Sequence, residues 1–265
     1  MNIIYFPHKL GQKKNGVQNS YKLFNNIGKI VNCKNEGNNL FNNLTNLYSA
    51  NSNSQEKNLN IGGDHSMAIS TVADSLNKRK NLKVLWFDAH PDINTYEKSS
   101  SKSYHGMPLA YLTNLDYNEN FKFIKNHLQF ENLLYIGIRD IDTYEQEVID
   151  KYNIKCIKSK ELNSNPEDTL QKINEFLGKD HYHLSFDVDG LDPSFIPCTG
   201  TAVENGLDLE KTKYILDNLN TKNMVNMDIT ELNFELGNEE EQQKTMKNVR
   251  YLFEKFLWLV KLIYI

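Results

Sequence analysis

The tightest constraint on this 265-residue chain is electrostatic: short apolar runs stop abruptly at clusters of Asp and His. Val84-Leu85-Trp86-Phe87 runs into Asp88-Ala89-His90-Pro91-Asp92. Side chains of extended backbone alternate between faces, so Asp88, His90 and Asp92 project to one side. Tyr182–Phe186 runs into Asp187-Val188-Asp189-Gly190-Leu191-Asp192-Pro193, where Asp187 and Asp189 again share a face. A third run, Asn58–Ile61, ends in Gly62-Gly63-Asp64-His65-Ser66, whose glycines suit a tight turn, and a fourth reaches Asp228-Ile229-Thr230-Glu231. Carboxylates crowded this closely at buried strand ends repel one another unless a cation lies between them. Read alone, the Asp187–Pro193 stretch also fits a calcium loop or a turn. Together with Asp88–Asp92, it fits a site for divalent ions such as Mn, Fe, Co or Zn.

The surrounding pattern says where such a site can sit. Strands are expected at Ile3–Phe6, Asn58–Ile61, Lys83–Asp88, Leu133–Ile138, His183–Val188 and Met224–Ile229, nearly continuous in hydrophobicity as buried parallel strands are. Helical stretches lie between them, among them Ala68–Lys80 and Pro166–Leu177. The latter has Asn165 as its N-cap, Pro166 in its first turn and Gly178 beyond its end. Strand–helix alternation implies an α/β fold with helices on both faces of a parallel sheet, and chemistry at the carboxyl ends of its strands. Neither a repeat nor a linker divides the chain, so a single domain over 1–265 is expected. The Asn-rich stretch from Asn32 to Asn60 reads as a loop or irregular helix.

Composition narrows the function classes. Thirty Lys and Arg against 34 Asp and Glu give a net charge of −4, which argues against a nucleic-acid binder. No stretch approaches the roughly 20 apolar residues of a membrane span. The apolar C-terminal run from Tyr251 to Ile265, broken by Glu254, Lys255 and Lys261, reads as a helix docked on the core. Cys33, Cys156 and Cys198 form no CxxC and read as free thiols of a reducing compartment. With no basic, apolar leader at Met1–Tyr5, a cytoplasmic protein without membrane partners is expected.

Taken together, His65, Asp88, His90, Asp92, Asp187 and Asp189 form a candidate two-metal site. Two dications, four carboxylates and a bridging hydroxide leave such a cluster near −1, and Glu231 adds another negative charge. A site like this attracts a cationic substrate and readies a water molecule, whose pKa falls from about 15.7 towards 7 on a metal.

In their order, the motifs Gly62–Ser66, Asp88–Asn94, His105–Pro108, Ser185–Thr201 and Met227–Asn233 resemble those of the ureohydrolases, and most closely arginases. The resemblance implies a three-layer α/β/α fold with a mostly parallel, roughly eight-stranded sheet. It also implies two Mn2+ ions, and hydrolysis of L-arginine to L-ornithine and urea by attack of a metal-bridging hydroxide on the guanidinium carbon. Position by position, His65, Asp88, Asp92 and Asp187 would hold one manganese, and His90, Asp88, Asp187 and Asp189 the other. Asp92 would steer the hydroxide, Glu231 would pair with the guanidinium, and His105 would shuttle a proton. Asn94, Ser99 and Ser101 would contact the α-carboxylate, Asp142 and Glu145 the α-amine, and Thr201 would lie near the substrate. A homo-oligomer, trimer or hexamer, is implied as well. Phe234 stands where the family commonly has proline, and Gly11–Val17 matches the family's early Gly-rich loop only loosely. The alternatives are an agmatinase or other ureohydrolase, a one-zinc deacetylase on the same fold, and an arginine-binding regulator without turnover.

Overall fold

In the computed structural model, which describes residues 1–24, 29–30 and 39–258, the carboxyl ends of four neighbouring central strands meet. In chain order the elements are β1 (Asn2–Phe6), β2 (Lys29–Ile30), α1 (Leu40–Ser52), β3 (Asn58–Gly62), α2 (Ala68–Lys78), β4 (Lys83–Phe87), α3 (Pro108–Leu112), β5 (Leu133–Ile136) and α4 (Thr143–Tyr152). They continue with β6 (Lys155–Ile157), α5 (Ser159–Ser164), α6 (Pro166–Leu177), β7 (Tyr182–Asp187), α7 (Leu209–Asn218), β8 (Met224–Thr230), α8 (Glu239–Leu252) and α9 (Glu254–Trp258). The eight strands form one sheet in the order β2-β1-β3-β8-β7-β4-β5-β6, and every ladder is parallel. The six expected strands are all present within two residues of their expected ends. The two that sequence reading missed, β2 and β6, are edge strands of two and three residues, too short to carry a hydrophobic pattern.

Alternation along the strands sorts the core into two layers. One face presents Leu59, Ile61, Leu85, Phe87, Leu184, Phe186, Met227 and Ile229 to Ile173 and Phe176 of α6, Ile215 of α7 and Val249 of α8. Phe186 stacks on Phe87 with centroids 5.1 Å apart and meets Phe253 edge-on at 5.0 Å. The other face presents Ile4, Phe6, Val84, Trp86, Leu133 and Tyr135 to Leu44 and Leu47 of α1, Ile69 and Val72 of α2, and Val148 of α4. This is the three-layer α/β/α architecture. α6 is delimited as its sequence demands: Asn165 accepts the Asp168 N–H at 3.0 Å, Pro166 opens the first turn, and Gly178 closes it at φ 54°.

One expectation is corrected in part. Of the Asn-rich stretch, residues 40–52 are the regular helix α1, capped by Asn39 accepting the Asn42 N–H at 3.1 Å, while 53–57 form the loop that leads into β3. Asn there alternates with Leu40, Leu44 and Leu47 at helical spacing, so buried leucines carry the helix and Asn fills the rest. Asp228 lies within β8, as the expected strand Met224–Ile229 has it, in a buried polar seam beneath α2. Its carboxylate accepts Asn60 Nδ2 at 2.9 Å and Thr71 Oγ1 at 2.5 Å, and faces His183 Nε2 at 3.0 Å. Ser75 Oγ continues the seam to His183 Nδ1 at 2.9 Å and to Asn226 Nδ2 at 3.0 Å. β3, β7 and β8 therefore carry polar side chains on the face toward α2.

Among the described residues, no helix is long and apolar enough to cross a membrane. The C-terminal run packs through Leu252, Phe253, Phe256 and Leu257 against the α6–α8 layer, and its last residues, 259–265, lie outside the described residues. Cys198 is a buried free thiol and Cys156 a half-buried one; Cys33 lies outside the described residues.

The seam yields a prediction. Asp228→Ala strips Asn60, Thr71 and His183 of a shared acceptor, and should cost at least about 3 kcal/mol in urea unfolding. Thr71→Val, which removes one donor and keeps the acceptor, should cost about 1 kcal/mol.

Candidate metal centre

Strand order brings the acid-bearing segments together: β3, β8, β7 and β4 are consecutive neighbours in the sheet. His65 follows β3, Asp187 ends β7 and Asp189 lies just beyond it, and Asp88, His90 and Asp92 follow β4. The turn bearing His65 needs its glycines because the chain passes close by. A Cβ on Gly63 would lie 1.6 Å from the His8 carbonyl oxygen, and one on Gly62 would lie 1.8 Å from Met67 Sδ. Close approach, rather than the tight turn expected, is what glycine supplies here.

His65 Nδ1 faces three carboxylate oxygens, those of Asp92 at 3.0 Å, Asp88 at 3.1 Å and Asp187 at 3.2 Å. Yet this buried nitrogen makes no hydrogen bond. His90 Nδ1 lies 3.4 Å from Asp88 Oδ1 and 3.3 Å from Asp189 Oδ2. Two groups result, His65–Asp88–Asp187 and Asp88–His90–Asp189, each with donor atoms within 4.8 Å of one another. They share Asp88. One imidazole nitrogen with several carboxylate oxygens is a donor set for a divalent transition ion, and the unpartnered His65 nitrogen fits that use. The electrostatics agree. Burial opposes a charge on His65, but Asp187, Asp88 and Asp92 outweigh it and hold its pKa far above the ordinary value. Burial and the neighbouring Asp88 charge push Asp92 up to about 6. A dication relieves both.

Surrounding contacts fix the ligand candidates. His65 Nε2 pairs with Ser185 Oγ at 2.9 Å, and Trp86 stacks on the ring with centroids 4.2 Å apart. Trp86 Nε1 donates to Asp88 Oδ2 at 3.0 Å. Asp187 accepts the Asp189 N–H at 2.9 Å, and Asp88 accepts the His90 N–H at 2.8 Å. Such partners orient ligands and hold a ring in one tautomer. Asp92 and Glu231 both adopt left-handed backbone, at φ 50° and 62°. Non-glycine residues rarely do so, and strain of this kind gathers at functional sites.

Above these groups opens a cavity of about 270 Å³. His90, Asp92, Asn94, Ser99, Ser101, His105, Asp142, Glu145, Asp187, Asp189 and Thr201 all line it. His65 and Asp88 are buried beneath it. Glu231, 1% exposed, is also off its wall, held by three donors. Its Oε1 accepts the His65 N–H at 2.9 Å and faces His105 Nδ1 at 3.3 Å, while Oε2 accepts Gln12 Nε2 at 2.6 Å. Burial resists ionisation of Glu231, but His105 and the His65 N–H outweigh it and hold the pKa below the usual range. Burial likewise opposes a charge on His105, but the Glu231 hydrogen bond and charge, with Asp92 and Asp64, push it up to about 9.

Other side chains have uses of their own. Both Glu145 oxygens accept backbone N–H groups, from Ile93 and from Asp142, each at 3.1 Å. Burial and Asp92 push its carboxyl up to about 8. Glu145 thus ties the start of α4 to the Asp92 loop. Asn94 Nδ2 donates to Asp142 at 2.9 Å. Sequence reading missed Gln12 and Asp140. The weak Gly11–Val17 pattern concealed the first. The second stands two residues before Asp142, lines the cavity, and has a carboxylate 3.6 Å from His90 Nε2.

The arginase family model matches residues 10–256. The arginase of Entamoeba histolytica is 36% identical over 208 residues, covering 74% of this chain and 68% of that protein. For seven further curated arginases, the aligned stretch spans 52–62% of their length. The crystal structure of the E. histolytica arginase in complex with L-ornithine superposes with TM-score 0.85 at 30% identity, covering 95% of this chain and 97% of that one. The Bacillus subtilis arginase gives 0.86 at 27% identity, covering 97% of each chain. Proclavaminate amidino hydrolase of Streptomyces clavuligerus, 18% identical with TM-score 0.77, covering 94% of this chain and 89% of that one, shares the fold. With its parallel sheet, its paired His/Asp groups and these matches, the chain belongs to the arginase family.

Proposed function

We propose that the protein is a binuclear manganese arginase that hydrolyses L-arginine to L-ornithine and urea. One observation carries the reading: two His/Asp groups sharing Asp88 lie beneath a small polar cavity whose walls can take both ends of an amino acid. In this reading His65, Asp88, Asp92 and Asp187 hold one ion, and His90, Asp88, Asp187 and Asp189 the other. When bound, the two ions supply Lewis acidity and lower the pKa of water towards about 7.

The chain's own residues do the rest. Glu231, kept ionised, binds the guanidinium as a planar fork on a carboxylate. Gln12 and His105 occupy its oxygens until substrate arrives. Paired with Glu231, His105 holds a proton at neutral pH, since its pKa lies near 9. Once the guanidinium takes the carboxylate, that support weakens and His105 can pass its proton to the departing ornithine amine. At the other end, Ser99 Oγ accepts the Lys102 N–H and Ser101 Oγ the Ser103 N–H, each at 3.2 Å. The two hydroxyls also pair with each other at 3.3 Å, which leaves one hydroxyl hydrogen for an α-carboxylate, beside Asn94. Asp142 accepts the α-amine, with Glu145 fixing the loop, and Thr201 lies at the Asp189 side. Agmatine lacks the carboxylate, so the agmatinase reading leaves those donors without a partner. One sheet through the described chain supports a single catalytic domain over 1–265; assembly as a trimer or hexamer follows by resemblance alone, and a cytoplasmic location is supported by the free thiols Cys156 and Cys198.

Three outcomes are expected. With manganese supplied, purified protein releases urea from arginine, with kcat/KM for agmatine lower by a factor of about 100 or more. Urea from agmatine alone would contradict the substrate assignment. Glu231→Gln should lower kcat/KM for arginine by about two to three orders of magnitude, read by the same assay. Adding manganese at about 100 times its Kd to chelator-treated protein should raise Tm by about 5–10 °C. Asp88→Asn, altering the shared ligand, should abolish most of that rise.

A further inference from the structure

Arg139 gives its whole guanidinium to backbone. Nε donates to the Glu204 carbonyl at 3.0 Å, and Nη1 to those of Gly137 at 3.2 Å and Gly190 at 3.0 Å. Nη2 donates to Asp189 at 2.9 Å, Leu191 at 3.3 Å and Val203 at 2.7 Å. These carbonyls belong to three segments: the end of β5, the turn after β7, and the loop that follows Thr201. The turn and the loop converge on one carboxylate. Asp189 Oδ2 accepts Thr201 Oγ1 at 2.6 Å, and Oδ1 accepts the Ala89 N–H at 3.2 Å. The turn is also pressed on β4, for a Cβ on Gly190 would lie 3.0 Å from the Asp88 nitrogen.

We propose that Arg139 is a positioning residue for the metal centre: it clamps the Asp189–Leu191 turn to the Thr201 loop and so fixes the Asp189 carboxylate beside His90. The proposal rests on the two-ion reading above. It carries an asymmetry that a general packing role would not. Asp189 belongs to the group containing His90 and not to the one containing His65. His65 has its own supports in the Ser185 hydroxyl and the stacked Trp86 ring. Loosening the clamp therefore weakens one ion and spares the other. Outer partners of this kind are worth about 10- to 100-fold in metal affinity. Lysine keeps the charge at position 139, but a single ammonium cannot span carbonyls on three segments.

The experiment titrates metal-free wild type, Arg139→Lys and Thr201→Val with manganese, reading ions per chain and their dissociation constants. Electron paramagnetic resonance reports whether bound ions are magnetically coupled or isolated. In Arg139→Lys one ion should bind as in wild type and the other about 10- to 100-fold more weakly, with isolated-ion signal where wild type shows a coupled pair. Thr201→Val keeps the side-chain shape, removes the hydroxyl on Asp189, and should show the same selective loss; it carries the test if the lysine variant does not fold. Wild-type affinity for both ions in either folded variant, or equal weakening of both, overturns the clamp. A wild-type protein that binds fewer than two ions overturns the two-ion reading instead.

Discussion

Mutual repulsion among Asp88, Asp92, Asp187 and Asp189 is the constraint around which the rest of the structure is arranged. Four carboxylates almost wholly removed from water and sharing two imidazoles would cost several kcal/mol each if left uncompensated. The fold meets part of that cost with directed hydrogen bonds: backbone N–H groups on Asp88, Asp187 and Asp189, the indole of Trp86, and the Thr201 hydroxyl. What these donors do not supply is a charge between the ligand groups. The unpartnered His65 nitrogen among three carboxylate oxygens is a place where a cation could be held.

Topology makes such crowding possible. The chain leaves β4 outward to β5 and β6, then returns to place β7 and β8 between β3 and β4. Residues 166 positions apart, as with the His65 N–H and Glu231, thereby meet at one edge. One face of the sheet is apolar throughout, while the other carries the Asp228–His183 seam under α2. A buried hydrogen-bond network of this kind ties β3, β7, β8 and α2 together, which keeps the turns above it aligned.

Much of this was legible in the sequence, for identifiable reasons. Buried parallel strands leave continuous apolar runs, so the six longer strands could be read, whereas Lys29–Ile30 and Lys155–Ile157 are too short to leave any. Alternation alone put Asp88, His90 and Asp92 on one side, and Asp187 with Asp189. The helix at 40–52 was hidden by asparagines occupying the positions between its leucines. Arg139 and Gln12 left no signal, since carbonyl acceptors have no identity in a sequence and the Gln12 contact joins residues 219 positions apart. The likeness to proclavaminate amidino hydrolase extends to the fold, and a fold does not by itself fix a substrate.

The most direct measurement is an anomalous-difference map, collected at the manganese absorption edge, from crystals grown with manganese. The account predicts two peaks, one bounded by His65, Asp88 and Asp187 and the other by Asp88, His90 and Asp189. A map without peaks there, with the imidazoles donating protons directly to the carboxylates, would contradict it.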